Sequence, residues 1–157
     1  LGDVYKRQLV FYSPLQTIFW YDKPSFYHGE PEMEWFENLQ TVFDDTKVLD
    51  GAPGKNITMA RRKGQEWFVA AMTNNEGSEE EISLTFLDKE KNYLACIYTD
   101  EGEKIKTSTQ VKCTYLLVNA SQTMKFQLKP SGGAAIRLVP IDRQEMKKYK
   151  KYKGERL

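Results

Sequence analysis

From about residue 46 onward, apolar and polar residues alternate with a period of two. Residues 57–62 and 66–73 are two β-rich runs separated by Lys63, Gly64 and Gln65, a hairpin-length gap with a glycine available for positive φ. In the following run Ile82, Leu84 and Phe86 alternate with Ser83 and Thr85, which predicts one buried and one wet face. Residues 93–99 read as another strand, closed by the turn residues Asp100, Glu101 and Gly102. Residues 111–118 and 123–128 predict a second hairpin across Asn119, Ala120 and Ser121, and a last strand over 134–139 follows the turn at 130–133. About seven to eight short strands, spaced near ten residues apart, point to an all-β class, an antiparallel β-sandwich.

The pattern before residue 46 is different. Residues 9–20, LVFYSPLQTIFW, are apolar on almost every face over about three helical turns, too short for a bilayer, which takes roughly 20 residues. A helix of that kind needs neighbours on nearly every side, and no other segment is suited to surround it. The expectation is a buried helix cut from something larger, with Pro14 kinking it or marking its start. The turn-rich stretch that follows leads to EMEWFENL, where Pro31 suits a first helical position and Glu32 and Glu34 suit the positive end of the dipole.

Residues 1–8 are set aside. Asp3 to Gln8, DVYKRQ, looks like the in-frame translation of a transposase mosaic-end adaptor used in sequencing libraries, and such a scar carries no fold information. This charged start lacks the apolar core and small-residue cleavage site of a signal peptide.

Composition narrows the reading only slightly. The 157 residues suffice for one modest core. Nine Tyr, eight Phe and three Trp favour pleated, half-buried surfaces and so agree with the strand pattern. The 23 basic and 22 acidic residues give no global bias toward nucleic acid or an anionic membrane. Local charge gathers in the tail, residues 141–157, where five lysines between 147 and 153 interleave with Tyr149 and Tyr152. Basic residues among aromatics can bind nucleic acid, but a solvated, frayed tail is the expectation, because the domain adds no basic excess. His28 is the single histidine, so no zinc pair or histidine dyad can form, and a loop role is expected for it.

Five local patterns occur in order: SPLQ at 13–16, DDTKVL at 44–49, ARR with WFVAAMTN over 60–74, FL at 86–87 and PSGGAAIRL at 130–138. Together they resemble the C-terminal part of glycoside hydrolase family 97, an α-glucosidase and α-galactosidase family of bacterial glycan-utilisation systems. The resemblance covers residues 9 to about 140. Phe43 departs from it, standing where the family often has tryptophan, though an aromatic is kept.

The resemblance implies a layout of N-terminal β-rich domain, (β/α)8 barrel and C-terminal sandwich. On it, residues 9–23 are the last barrel helix, 24–42 a linker with a short helix, and 43–140 the C-terminal β-sandwich of oligomerisation type. It implies a periplasmic or secreted enzyme whose missing barrel hydrolyses terminal α-glucosides or α-galactosides of an oligosaccharide. Calcium is expected in that barrel, with no cofactor held by this part of the chain. The implied partners are the chain's own catalytic barrel and a possible homo-oligomer, with no nucleic acid and no membrane. The glutamates that bind calcium and act as acid and base in family members lie on earlier strands, and no position here matches their motifs. Because a barrel's final helix runs from the active-site face to the opposite one, the sandwich is expected on the side away from the sugar.

The residues themselves support no catalytic, substrate-binding or metal site. Glycoside hydrolysis needs two carboxyl groups about 5–9.5 Å apart across a bond. Asp44 and Asp45 are adjacent and point in different directions, so capping or turn bonds around Thr46 are the better use. Glu79, Glu80 and Glu81 read as a solvated loop. Arg61, Arg62 and Trp67 could hold a sugar on an exposed ring, which gives the alternative of a carbohydrate-binding sandwich that tethers the enzyme to glycan. The competing reading puts Trp67 in the core and pairs one arginine with Asp44 or Asp45. A third possibility is an interaction module unrelated to sugars. Cys96 and Cys113 fall opposite each other if their strands form a hairpin centred near Lys104 and Ile105. Cβ atoms would then sit about 4.5–5.5 Å apart, long for a disulfide without local adjustment.

Overall fold

The computed structural model describes residues 4–11, 13, 29–30, 32–100 and 111–157. Two short helices, α1 (Val4–Val10) and α2 (Glu32–Asn38), precede the strands β1 (Asp45–Ala52), β2 (Asn56–Lys63), β3 (Glu66–Thr73) and β4 (Ser78–Ser83). There follow β5 (Asn92–Asp100), β6 (Val111–Asn119), β7 (Thr123–Leu128) and β8 (Gly133–Ile141), then a 3-10 turn at Glu145–Lys148 and β9 (Lys150–Lys151). The strands form a seven-stranded sheet in the order β1-β2-β3-β8-β5-β6-β9 and a two-stranded sheet β4-β7. Every pairing is antiparallel except that of β6 with β9.

The expected sandwich is therefore present, with nine strands among the described residues where seven to eight were expected, and its layers are unequal. The small sheet covers one face of the large one, and the core between them includes Trp67, Val69, Ile82, Leu84, Ile136 and Phe126. The opposite face of the large sheet is also buried in its centre. There Phe68, Ala70, Cys96, Tyr98 and Ala135 pack with Leu9 of α1 and Trp35 of α2. Trp35 meets Phe68 and Tyr98 edge-on, each at 5.7 Å between ring centroids, a favoured aromatic geometry. Burial on both faces explains why β3 reads WFVAA without alternation.

The β2–β3 hairpin forms as expected, turning through Gly64 at φ 58°. The second expected hairpin does not. β6 pairs with β5, whereas β7 pairs with β4 in the other sheet. The turn after Asn119 carries the chain across the core, because Leu116 and Val118 on β6 and Met124 and Phe126 on β7 all face that same core. Apolar alternation fixes which side a strand buries but is silent about its neighbour.

Other expectations are corrected as well. Helix α1 ends at Val10, with Phe11 in a bend and Ser13 outside any helix; residues 14–20 of the expected apolar helix, with Pro14, lie outside the described residues, as does His28. Helix α1 includes positions that the sequence reading set aside, and Lys6 is buried there against Asp100. Glu79–Glu81 belong to strand β4, not a loop. The tail is docked rather than frayed: Tyr152 is buried in the inter-sheet core, its hydroxyl accepts from the Lys125 amide at 3.0 Å and donates to the Glu155 carbonyl at 2.8 Å. Edge strands present unpaired backbone groups, and the tail covers two such edges, β6 through β9 and β7 through Leu157.

Candidate functional site

The motif residues around position 44 line a cleft of about 510 Å³ where the chain enters β1, formed by Val42, Phe43, Asp44, Asp45, Thr46 and the buried Arg61. Phe43 packs edge-on against Phe68 at 5.9 Å, and the Arg61 guanidinium lies 5.4 Å from the Phe43 ring centroid. Arg61 Nη2 also donates to the Val10 carbonyl at 3.4 Å. Arg61 is thereby committed to holding α1 against β2, with its charge resting on an aromatic face.

Asp44 does turn chemistry, but at the β2–β3 turn 20 residues away and not around Thr46 as expected. One oxygen accepts from the Gly64 amide at 2.7 Å and the other from Lys63 Nζ at 3.3 Å, while Arg62 lies 3.9 Å away. The Gly64 hydrogen bond, then the Lys63 bond, hold its carboxyl below the usual aspartate range. Asp45 pairs instead with Lys47 at 3.3 Å. A lowered carboxyl at Asp44 is the opposite of what a general acid requires, and its hydrogen bonds tie it to the β2–β3 turn. The arginine expected to meet these acids is Arg62.

Trp67 is 5 % exposed and lies against Phe86 at 4.8 Å between ring centroids, with Lys47 Nζ 6.0 Å from its ring centroid. It is core, so the exposed sugar platform of the alternative reading is not formed by this residue.

Sequence reasoning missed Glu80. Only 4 % exposed, its carboxylate accepts from Ser78 Oγ at 2.6 Å, Asn56 Nδ2 at 2.9 Å and Thr58 Oγ1 at 3.4 Å. The same Asn56 amide reaches Asp50 at 2.7 Å, so one side chain bridges two carboxylates at the end of the sandwich. A buried charge persists only with such partners. Period two held the signal, since Glu80 shares the face of Ile82 and Leu84.

The cysteines are free and do not face each other directly. The observed register pairs Cys96 with Tyr115 and Tyr98 with Cys113, a shift of the hairpin by one step of the ladder that makes the thiols diagonal neighbours. Burial pushes the Cys96 thiol up to about 12 and raises Cys113 as well, so neither is an activated nucleophile. Tyr115 donates to Glu34 at 2.6 Å and ties β6 to α2.

Among the described residues no group of three or more His, Cys, Asp or Glu is placed to hold a metal ion. No described helix is long and apolar enough to cross a membrane.

The fold is an antiparallel sandwich in which the motif residues Asp44, Arg61 and Trp67 serve a turn, helix docking and the core. The family model for the glycosyl-hydrolase 97 C-terminal, oligomerisation domain matches residues 42–139, and the chain belongs to this family. It is similar to a retaining α-galactosidase of Bacteroides thetaiotaomicron, 34 % identical over 131 residues, which span 83 % of this chain and 19 % of that protein. Its fold matches a glycoside hydrolase family 97 enzyme from a Pseudoalteromonas strain, solved with acarbose, at a TM-score of 0.78 and 30 % identity, covering 90 % of this chain and 22 % of that one. A β-arabinopyranosidase shares the fold at a TM-score of 0.56 and 23 % identity, over 73 % of this chain and 18 % of its own. The chain thus spans about a fifth of the length of these relatives.

Proposed function

We propose that this sandwich is the non-catalytic C-terminal domain of an α-glycosidase, packing against the enzyme's own barrel and joining copies of it. The carrying observation is the helix-covered face of the large sheet, where Trp35, Leu9, Phe68 and Tyr98 build a second core outside the sandwich proper. Leu9 and Trp35 belong to the segments read as the last barrel helix and the linker, so the face they cover is the one turned toward the barrel. Oligosaccharide hydrolysis, of terminal α-galactosides or α-glucosides, belongs on this reading to the barrel, in a periplasmic or secreted enzyme. Tethering to glycan finds less support, since Trp67 is core.

Assay of the 157-residue chain with aryl α-galactosides and α-glucosides tests the proposal. No turnover and no retention on glycan columns are expected. Turnover would overturn the accessory reading, and retention would favour the tethering one.

A further inference from the structure

The docked tail holds a row of lysines in fixed places. Residues 141–157 carry seven basic residues against three acidic ones in a chain whose whole balance is +1, so the rest of the chain is net acidic. Lys147, Lys148, Lys150, Lys151 and Lys153 are all exposed, and among the described residues none of their ammonium groups meets an acid. Elsewhere Lys47, Lys63, Lys91 and Lys125 each pair with one. Lysines commonly guard an edge strand against further pairing. That role accounts only for Lys150 and Lys151 on β9, since the other three lie outside the strand.

From this we propose that the β9 edge is a cationic contact for an anionic phospholipid surface, contrary to the expectation of no membrane partner. Clustered lysines beside an anionic bilayer each add attraction without needing a shaped pocket. Register sets Lys150 on the side of Leu116 and Lys151 on that of Leu117, opposite faces of the sheet. Because β9 is the outermost strand, a flat surface approaching edge-on meets both long stems. Buried Tyr152 keeps the backbone between them and the core in place. Nucleic acid fits this edge less well. Single strands are held by stacking as well as by charge, whereas Tyr152 lies in the core and Tyr149 is half-buried, 6.3 Å from the Tyr115 ring. Five of the seven basic groups are lysines, point charges suited to diffuse attraction, and Arg156 is taken by Glu79.

Cosedimentation of the full chain with vesicles of phosphatidylglycerol and phosphatidylcholine tests the contact, with pure phosphatidylcholine vesicles as the neutral reference. Binding to the anionic vesicles alone is expected, and it should be lost at about 0.5 M salt, where screening leaves only a few ångströms of reach. Lys150→Gln with Lys151→Gln should weaken binding about 25-fold, about fivefold for each lysine. Lys55→Gln with Lys129→Gln removes equal charge from exposed positions elsewhere and should change binding by less than about twofold. Circular dichroism checks the fold of both variants. No binding, equal binding to neutral vesicles, or equal weakening by the two variants overturns the proposal. Tighter binding to a single-stranded oligonucleotide than to the anionic vesicles also overturns it, in favour of nucleic acid.

Discussion

Replacing Trp67 with alanine separates a structural tryptophan from a sugar-binding one. Its side chain is almost wholly buried, ring to ring with Phe86, in a strand whose neighbours β2 and β8 are both paired. Burying an aromatic of this size removes about 150–250 Å² from water, which at about 25 cal/mol per Å² is roughly 4–6 kcal/mol. Partial collapse of the cavity brings the expected loss to about 3–5 kcal/mol. In a chain of this size each kcal/mol shifts Tm by about 2–4 °C, so the variant should melt roughly 6–20 °C lower. Urea unfolding followed by far-UV circular dichroism would measure it, with an unchanged m-value showing that the same surface unfolds. A loss under about 1 kcal/mol together with abolished glycan binding would refute the core assignment.

Two further outcomes follow from the turn and the thiols. Asp44 has a folded pKa lowered by Gly64 and Lys63, so its stabilising effect is full above the unfolded aspartate value of about 3.9 and fades as pH falls through the folded value. Asp44→Asn should therefore flatten the acid limb of stability below about pH 4, and an NMR titration placing Asp44 at or above the ordinary value would contradict this. Cys96, pushed up to about 12 by burial, should react with a disulfide reagent at pH 8 far more slowly in the native chain than after unfolding. Two thiols should then appear without added reductant, and a count of zero would show a bridge.

Much of the fold was readable because alternation reports burial directly. The β2–β3 hairpin and the strands over 93–99, 111–118, 123–128 and 134–139 followed from short-range pattern. The alternation over 82–86 misplaced its strand, since β4 is Ser78–Ser83 and residues 85–86 turn, and Asp44 serves a turn 20 residues away. Glu80 was legible too, in the alternation that buries Ile82 and Leu84, but a run of three glutamates looks solvated until its hydrogen-bond partners are known. Those partners, Asn56 and Thr58, lie 24 and 22 residues away. The cysteine register failed for a related reason: its loop length set only an average centre, and the ladder settled one step away.

What the amino-acid order determined by itself was most of the strands, the face each of these buries and the family motifs, all of them local properties of the chain. Only the tertiary structure decided which strands became neighbours, that β7 left β6 for β4, that Tyr152 closes the core, and that Arg61 and Trp67 are spent on packing. Those outcomes depend on contacts between residues far apart in sequence, where many partners satisfy the same alternation and the full core selects one.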